Sequence, residues 1–373
     1  MIKILFTIPN FDTAGSGKAL LNIACGLDKE KFESHILCQH TRGEFFDVVK
    51  NAGIPVHVFE YVSPARPLTA LIKSSWAVSK KIKSINPHII HSFHYSADYS
   101  EALAAHIAGI PWVFTKKSMS WYGASVRSWK LRSMLAKKII VQNTDMIRQF
   151  YPHSKKISLI PRGVDAEKFS PQPPDKNVYE SMHTPPEARI IICVANFVPV
   201  KGIEILLHAF CNVSSQFPGW CLWLVGDHNN EYGKAMQCFV SEKQMGDKVR
   251  FAGKQMDVKK FLDAAEIFVL PTLDEGRREG TPVAMLEAMA NSKTVIGAAV
   301  PGIKDQLQHH AEYLFTPGSV DSLTEKLQAY MSRSADENKI TGNMFMQLCR
   351  NEFSIWKEIA AHENFYSSVL GPV

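Results

Sequence analysis

Short runs of β-branched and aliphatic residues alternate with longer amphipathic segments along most of this chain. The first series of runs reads IKILFTI, SHILC, PVHVF, HIIHSF, WVFT, KIIVQ and KISLIP. Segments such as 44–52, 68–85 and 97–108 separate these runs and have the apolar spacing of helices. A strand, helix, strand order of this kind predicts a parallel sheet that is covered by helices on both faces.

The alternation stops at residues 170–188 and then starts again. This stretch holds five prolines and has no apolar period, which indicates a linker between domains or a loop leaving one. The second series reads RIIICVANF, WCLWLVGD, KVRFAG, EIFVLP and KTVIGA. We therefore predict two domains, at 1–168 and 169–352, and expect the aromatic helix 353–373 to pack back on the first. Doubly wound sheets bind ligands at the carboxyl ends of their strands, so the expected site is a central cleft faced by both domains.

The charge of the chain is modest but unevenly distributed. A net charge of +6 in 373 residues is too small to indicate binding to nucleic acid. Basic residues concentrate in the first half, with apolar residues between them: Lys73, Lys80, Lys81, Lys83, Lys116, Lys117, Arg127, Lys130, Arg132, Lys137 and Lys138, interleaved with Leu68, Leu71, Ile72, Trp76 and Trp129. A solvated helix face explains such segments; a surface that contacts anionic lipid or a phosphorylated acceptor is the alternative.

Several features of the sequence indicate the expected cellular location of the protein. No apolar run reaches the roughly 18 residues that span a bilayer, and the N-terminus enters a strand pattern rather than a signal peptide. The seven cysteines form no close pair that would chelate zinc, so we interpret them as reduced packing residues. The expected location is the cytoplasm, with peripheral contact at the inner face of a membrane as a further expectation.

The stretch NFDTAGSGKALLNIA, residues 10–24, follows the first strand and resembles a phosphate-binding turn that leads into a helix. A P-loop would need glycine at Asp12 and serine or threonine at Ala19. A dinucleotide fingerprint would need glycine at Leu20. Both motifs therefore fail. Small residues at a strand-to-helix junction still expose N–H groups where the helix dipole favours an anion, although an ordinary tight turn is the alternative.

Two carboxylates and one lysine in the second half are candidates for chemistry. Thr281 and Pro282 predict a cap and the first residue of a helix over 282–290. Glu279 would then lie just outside the helix, and Glu287 about 7–8 Å further along its axis. One carboxylate could serve a reacting carbon while the other binds hydroxyl groups. Lys201, before Gly202 in another strand-to-helix loop, could contact a phosphate, although a solvated loop lysine is the simpler interpretation.

Taken together, the motifs resemble one enzyme family over nearly the whole chain. They are Pro161-Arg162-Gly163-Val164-Asp165 with Phe169 and Pro171, Lys201-Gly202, Leu224-Val225-Gly226, Val249-Arg250-Phe251-Ala252-Gly253, Glu279-Gly280-Thr281-Pro282 and Leu286-Glu287-Ala288-Met289-Ala290. Their order and spacing resemble the retaining glycosyltransferases of family 4, also described as glycosyl transferases group 1. That resemblance implies the α/β GT-B fold, in which two Rossmann-like doubly wound parallel-sheet domains face a central cleft.

The resemblance also implies an activity. A hexosyl or N-acetylhexosaminyl group would move with retention from a nucleotide-sugar, with a UDP-sugar slightly favoured, to a hydroxyl of a glycan, glycolipid or small-molecule acceptor. Polysaccharide biosynthesis is the expected context. The donor would bind mainly to the second domain and the acceptor, which is a sugar or a lipid-linked sugar, mainly to the first. No metal or other cofactor is expected, because cationic and N–H groups would stabilise the departing diphosphate.

By position in the motifs, the resemblance assigns roles to particular residues. Glu279 matches the glutamate beside the transferred sugar, and Lys201 the lysine that binds the diphosphate. Glu287 matches the ribose ligand, Phe251 to Gly253 the turn that meets the base, and Gly15 the loop glycine whose N–H approaches the diphosphate. The complete expected donor set is Gly15, Ser16, Asn196, Phe251, Gly253, Gly280, Thr281, Pro282 and Glu287.

Some positions depart from the family pattern. Asn196 stands where many members have an arginine, and Lys117 falls near the place of a histidine in the first domain. His91 and His94 could replace that histidine, so His91, His94 and Lys117 are the candidates on the acceptor side, although a buried or capping histidine is the favoured interpretation. Because of these departures, two alternatives stay open: a catalytically silent nucleotide-sugar-binding protein, or a sugar-nucleotide epimerase of GT-B fold.

Overall fold

The computed structural model describes residues 1–12, 14–43, 45–63, 66–121, 125–276, 278 and 280–371. The chain forms two compact units, Met1–Pro161 together with Trp356–Val373, and Arg162–Ile355. Each unit is built on a parallel sheet with helices on its faces, as the alternating pattern predicts.

The first unit has a seven-stranded parallel sheet in the order β3-β2-β1-β4-β5-β6-β7. Its strands are β1 (Ile2–Thr7), β2 (Phe32–Cys38), β3 (Val56–Val58), β4 (Ile89–Ser92), β5 (Trp112–Lys116), β6 (Lys138–Val141) and β7 (Ile157–Leu159). Its helices are α1 (Ala14–Gly26), α2 (Phe46–Lys50), α3 (Leu68–Ile85), α4 (Ser100–Ala108), α5 (Ser125–Leu135), α6 (Thr144–Phe150) and α15 (Ile355–Leu370). The central strands β4 and β5 are buried along their whole length, which explains their continuous apolar runs.

Helix α3 occupies the predicted segment 68–85. Pro67 precedes it, and Asn86 ends it in the left-handed conformation at φ 53°. Leu71, Val78 and Ile82 are buried, and the last two pack into the same core as the alanines of α4. The other side of α3 carries no acidic residue and stays in contact with solvent.

The last helix, α15, completes the first unit. The buried ring of Tyr366 packs against Phe6 and Phe32, with centroids 6.2 and 6.1 Å away. The Tyr366 hydroxyl is 2.7 Å from Nδ1 of His91. Glu363 accepts a hydrogen bond of 2.7 Å from the N–H of Asp28. The core around β1 and β4 therefore includes residues from both ends of the chain.

The second unit has a six-stranded parallel sheet in the order β10-β9-β8-β11-β12-β13. Its strands are β8 (Arg189–Val194), β9 (Trp220–Val225), β10 (Val249–Gly253), β11 (Ile267–Leu270), β12 (Thr294–Ala298) and β13 (Leu314–Phe315). Its helices are α7 (Lys176–Ser181), α8 (Ile203–Val213), α9 (Glu231–Glu242), α10 (Lys259–Ala264), α11 (Val283–Ala290), α12 (Ile303–Gln306), α13 (Val320–Met331) and α14 (Ala335–Glu352). Strand β13, with two residues, was absent from the predicted pattern.

The proline-rich stretch 170–188 is a folded part of the second unit. It contains α7, whose first turn is capped by the side chain of Asp175 accepting from the N–H of Asn177. Tyr179 is buried, and its ring meets Trp223 edge-on with centroids 5.4 Å apart. The interpretation as a linker was therefore wrong, because two buried side chains in one turn are too few to produce an apolar period.

The chain passes between the units at 161–162 and again at 355–356. On the side of the second unit, the two segments are paired: Val164 and Ser354 form an isolated parallel bridge. A Cβ on Gly163 would lie 2.5 Å from the carbonyl oxygen of Ser354, so only glycine fits this approach.

All seven cysteines are free thiols. In the described part of the chain, no helix combines the length and the apolar character needed to cross a membrane.

Candidate functional site

The expected diphosphate lysine lies at the carboxyl end of β8. Asn196 is exposed just after the strand, and a 3₁₀ turn over Pro199–Lys201 follows. Lys201 is only 8% exposed. Gly202 has a φ of 63°, and a Cβ there would overlap the carbonyl oxygen of Pro271. Glycine therefore lets the lysine turn lie directly against the loop after β11, an approach that a larger residue would prevent.

The loop after β11 leads into helix α11, which begins at Val283. Pro282 is extended at φ −72° and ψ 108° and occupies the N-cap position without a side-chain cap bond. The prediction of a helix starting at Pro282 with Thr281 as its cap was therefore wrong by one residue. The Thr281 hydroxyl instead accepts a hydrogen bond of 3.4 Å from the N–H of Arg162.

Packing from α12 fixes this helix start. Nε2 of Gln306 donates to the carbonyl oxygen of Pro282 at 3.0 Å. Gly302 has a φ of 84°, and a Cβ there would overlap the carbonyl oxygen of Gly280. Two tight contacts therefore hold the segment 280–282 against α12, in the loop between β11 and α11.

Of the two predicted carboxylates, the structure describes one. Glu287 is the fifth residue of α11 and is 9% exposed, so its carboxylate is held in the interior of the second unit. Glu279 and the neighbouring Arg277 lie outside the described residues. The role of Glu279 stays a prediction.

The ends of β8, β9 and β10 converge at small residues. The N–H of Gly226, directly after β9, donates to the carbonyl oxygen of Gly253 at 3.0 Å. Next to this junction, the rings of Phe197, His228 and Phe251 form a cluster with centroids 5.5–6.0 Å apart. The predicted base-binding turn is thus half-buried beside an aromatic wall, to which neither Phe197 nor His228 was predicted to contribute.

In the first unit, the structure brings together two residues that were predicted for different roles. Ser16, an expected donor ligand, lies in the first turn of α1. Lys117, an expected acceptor ligand, follows β5, and its ammonium group donates to the Ser16 hydroxyl at 3.1 Å and to the carbonyl oxygen of Phe93. Gly15 is exposed, and no atom lies within 4 Å of where its Cβ would stand, so protein packing does not require glycine there.

The two candidate histidines are structural groups. His91 is fully buried, with Nδ1 2.7 Å from the Tyr366 hydroxyl and Nε2 2.8 Å from the Thr115 hydroxyl. Burial holds the pKa of His91 well below its usual range. The hypothesis that His91 contacts an acceptor is therefore wrong, because both nitrogens are occupied in the core. The favoured interpretation, a buried histidine, agrees with these contacts.

His94 is also buried, but it lies nearer the surface, in the loop after β4. Its Nδ1 accepts from the N–H of Ser96 at 3.2 Å and is 3.0 Å from the Ser96 hydroxyl. Burial lowers the pKa of His94 to about 3, so the ring is neutral at ordinary pH. His94 thus caps its own loop, and its neutral ring brings no positive charge to an acceptor.

Two buried charged residues, Glu101 and Arg132, support this loop from below and are connected through the Ser92 hydroxyl. Glu101 accepts hydrogen bonds from Thr7 at 2.5 Å and from Ser92 at 2.7 Å. Arg132 donates to the Ser92 hydroxyl at 3.1 Å and to the carbonyl oxygen of Asp98 at 2.5 Å. Burial raises the pKa of Glu101, while the charge of Arg132 opposes that rise. The sequence pattern could not identify this arrangement, because its members are distant in the chain and Arg132 was counted only among the basic residues of the first half.

In the described parts of both units, no group of three or more His, Cys, Asp or Glu side chains is arranged to hold a metal ion. The described donor candidates of the second unit follow the carboxyl ends of its strands, lie on α11 or, for Phe251 and Gly253, belong to β10 itself. Ser16, Lys117 and His94 occupy the corresponding edge of the first unit. In the loop after β4, the sequence analysis named His94 but missed Tyr95, although its position just after a strand end was an available signal.

Comparisons with known proteins agree with this arrangement. The family described as Glycosyl transferases group 1 matches residues 177–344, and the family described as Glycosyltransferase Family 4 matches residues 13–168. The amylovoran biosynthesis glycosyltransferase AmsK of Erwinia amylovora is 28% identical over 188 residues, which are 49% of this chain and 44% of that protein. The chain therefore spans less than half the length of this relative.

A longer alignment joins the chain to the UDP-Gal:alpha-D-GlcNAc-diphosphoundecaprenol alpha-1,3-galactosyltransferase of Escherichia coli. The two are 23% identical over 371 residues, covering 92% of this chain and 91% of that one. A solved glycosyltransferase from Rickettsia africae superposes with a TM-score of 0.87 at 17% identity, covering 100% of this chain and 99% of that one. Anabaena Alr3699/HepE in complex with UDP and glucose has a TM-score of 0.83 at 18% identity, with coverages of 99% and 100%. At these identities the structures show a shared fold.

Proposed function

The chain belongs to the group 1, family 4 glycosyltransferases and has their GT-B fold, and on this premise we propose the reaction that it catalyses. It transfers a hexosyl or N-acetylhexosaminyl group, with retention of anomeric configuration, from a nucleotide-sugar to a hydroxyl of a sugar acceptor. The observation that carries the proposal is Lys201 itself: the residue is nearly buried, and its turn after β8 lies directly against the loop that leads to α11.

The second unit binds the donor in this proposal. Lys201 meets the diphosphate, Glu287 the ribose, and the backbone of Phe251 to Gly253 the base. A UDP-sugar is favoured, because the name of the Escherichia coli relative contains UDP-Gal and the Anabaena structure holds UDP and glucose. The aromatic wall of Phe197, His228 and Phe251 offers an apolar surface for a planar base.

The chemistry follows from where charge develops. As the bond between the anomeric carbon and the phosphate oxygen breaks, the sugar becomes oxocarbenium-like and the leaving diphosphate gains negative charge. Lys201 stabilises that charge, and the N-terminal end of α11 adds the partial positive charge of a helix. The acceptor hydroxyl attacks from the face the diphosphate leaves, and its proton passes to a phosphate oxygen. These groups supply the stabilisation that a divalent cation would otherwise give, so we propose a metal-independent reaction.

Assays of binding and transfer test this function. Purified protein is warmed with UDP-, GDP-, ADP- or CMP-sugars, and we expect one nucleotide class to raise the melting temperature, since a ligand that binds only the folded state stabilises it. With that donor and a glycoside acceptor, NMR of the product should show the donor's anomeric configuration. An inverted product would contradict retention. Binding without turnover would favour the silent alternative, and an altered donor sugar without acceptor would favour the epimerase.

The acceptor in this proposal is a lipid-linked sugar, so part of the first unit should contact a membrane. The E. coli relative is named for a diphosphoundecaprenol-linked substrate. On helix α3, the side chains of Leu68, Ile72 and Trp76 are 65%, 53% and 53% exposed. Spaced by four residues, they lie on one face of the helix, which we call the α3 outer face.

The charges around the α3 outer face determine the kind of membrane it fits. Lys73, Lys80, Lys81 and Lys83 are exposed on the same helix, which has no acidic residue. The ammonium of Lys80 lies 3.5 Å from the ring centroid of Trp76. Apolar side chains on a helix rich in lysines match an anionic lipid surface. The apolar side chains would enter the membrane interface, and the ammonium groups would meet the charge of the headgroups.

Cosedimentation with vesicles tests the membrane contact. We expect the protein to bind phosphatidylglycerol vesicles more strongly than phosphatidylcholine vesicles, and salt to weaken the binding. Replacing Ile72 and Trp76 together by serine should lower the partition coefficient at least about tenfold, because two interfacial apolar side chains are lost. The matched control is Ile340→Ser, which removes an exposed isoleucine from the second unit. Equal binding of the double variant and the control would refute the α3 outer face as the contact.

A further inference from the structure

One aromatic ring at the ligand edge of the first unit is open to solvent. Tyr95 is 47% exposed and follows β4 by three residues. Its ring stacks on the buried ring of His94, with centroids 5.6 Å apart and planes tilted by 19°. Tyr61, which is also buried, meets His94 edge-on from another side at 6.4 Å. The inner face of Tyr95 is therefore supported by the core, while part of the ring remains accessible.

Hydrogen bonds hold the loop that carries this ring. Nδ1 of His94 accepts a hydrogen bond from the N–H of Ser96. The Ser96 hydroxyl in turn accepts a hydrogen bond of 3.1 Å from the N–H of Asp98. The carboxylate of Asp98 accepts from both the N–H and the hydroxyl of Ser100, at 2.9 and 2.6 Å. Arg132 donates to the carbonyl oxygen of Asp98 from below. A loop with this many internal bonds presents the ring in one orientation, which lowers the entropy lost on binding.

Polar groups lie beside the ring. The ammonium of Lys117 is 5.8 Å from the centroid of Tyr95 and donates to the hydroxyl of Ser16 at 3.1 Å. The supporting ring of His94 is uncharged, because burial lowers its pKa to about 3. An apolar ring bordered by an ammonium and a hydroxyl complements a pyranose, which has a C–H face for the ring and hydroxyls at its rim.

We propose that Tyr95 is the stacking surface for the acceptor's sugar ring, with Lys117 and Ser16 beside the hydroxyls of that sugar. The stacking proposal rests on the proposed function and adds a detail to it. The first unit would recognise the pyranose ring of the acceptor, and not only the lipid or diphosphate to which that sugar is attached. His94 acts through Tyr95 by supporting its ring. It is a positioning residue that itself does not touch the sugar.

The stack predicts a selective loss of acceptor affinity. Tyr95→Ala should raise KM for a soluble glycoside acceptor at least about tenfold, since both the stacking and the buried area are lost. KM for the nucleotide-sugar should stay at its wild-type value. Tyr95→Phe keeps the ring face and should recover most of the acceptor affinity. Trp356→Ala, which removes another exposed aromatic of the same unit, is the matched control.

A binding measurement separates this inference from the proposed reaction. Saturation-transfer NMR with methyl α-D-glucoside and methyl α-D-galactoside needs no turnover, and we expect a signal that Tyr95→Ala abolishes and Trp356→Ala keeps. An unchanged acceptor KM in Tyr95→Ala, or equal glycoside signals from it and wild type, would overturn the stacking surface alone. If Tyr95→Ala instead raised KM for the nucleotide-sugar, the donor and not the acceptor would contact the Tyr95 ring, which would also overturn the proposal. Wild-type protein that binds the glycosides but transfers nothing would overturn the reaction and leave the stacking surface supported.

Discussion

Replacing Glu279 by glutamine is expected to lower the rate of sugar transfer by about 10²–10³-fold, as removal of one preorganised group that stabilises developing charge does in other enzymes. The family resemblance puts this carboxylate beside the transferred sugar, where positive charge develops as the leaving group departs. A neutral amide of the same size cannot stabilise that charge. The kcat for transfer under saturating donor and acceptor measures the loss, and circular dichroism with thermal unfolding checks that the fold is kept.

The control for this variant lies in the same loop. Glu275, four positions earlier, is exposed after β11, and Glu275→Gln removes the same charge from the same segment. Its kcat should equal that of wild type. If Glu279→Gln turned over normally, or if both variants lost activity to the same degree, the catalytic assignment would be wrong and the loop would matter only as a whole.

Replacing Lys201 by alanine is expected to reduce kcat by about 10²–10³-fold, as removal of one preorganised group from a developing negative charge does in other enzymes. Lys201 as a residue is nearly buried, so solvent screens its charge weakly. Because the charge on the diphosphate grows in the transition state, the loss should appear in kcat more than in donor KM. Steady-state kinetics with the preferred nucleotide-sugar separate the two constants.

Lys293 provides a matched comparison within the same unit. It too is 8% exposed, but its ammonium donates to the carbonyl oxygen of Ala265 at 2.9 Å, and burial lowers its pKa to about 8. Lys293→Ala should therefore change the melting temperature and leave kcat intact. A Lys201→Ala variant that loses only stability, as this control does, would show that Lys201 is a structural lysine too.

Much of the fold was predictable because parallel strands bury both faces. The run HIIHSF became the fully buried β4, and the apolar period over 68–85 became α3 with the same limits. The elements that the sequence pattern did not predict are short ones. Helix α7 and strand β13 each bury too few residues to show a period, so only their packing partners, such as Trp223 against Tyr179, reveal them.

The site residues that could be predicted from the sequence are those near the ends of predicted strands. The local apolar pattern identifies the strands β8 and β10. Lys201 comes after β8 and Phe251 lies in β10, so the structure places both toward the carboxyl edge of one sheet. The pairing of Lys117 with Ser16, which are 101 residues apart, depends on tertiary packing and leaves no local trace. His91 gave a misleading signal, because a histidine at a strand end is indistinguishable in sequence from one that holds α15 in place.

The return of α15 to the first sheet has a consequence for synthesis of the chain. Residues 162–355 form a unit of their own, and all of them leave the ribosome before Tyr366 does. The amino-terminal part, although made earlier, lacks the side chain that covers Phe6 and bonds to His91 until the whole second unit has been made. The usual vectorial order, in which the earlier domain matures first, is therefore reversed for the part of this enzyme that we propose receives the acceptor.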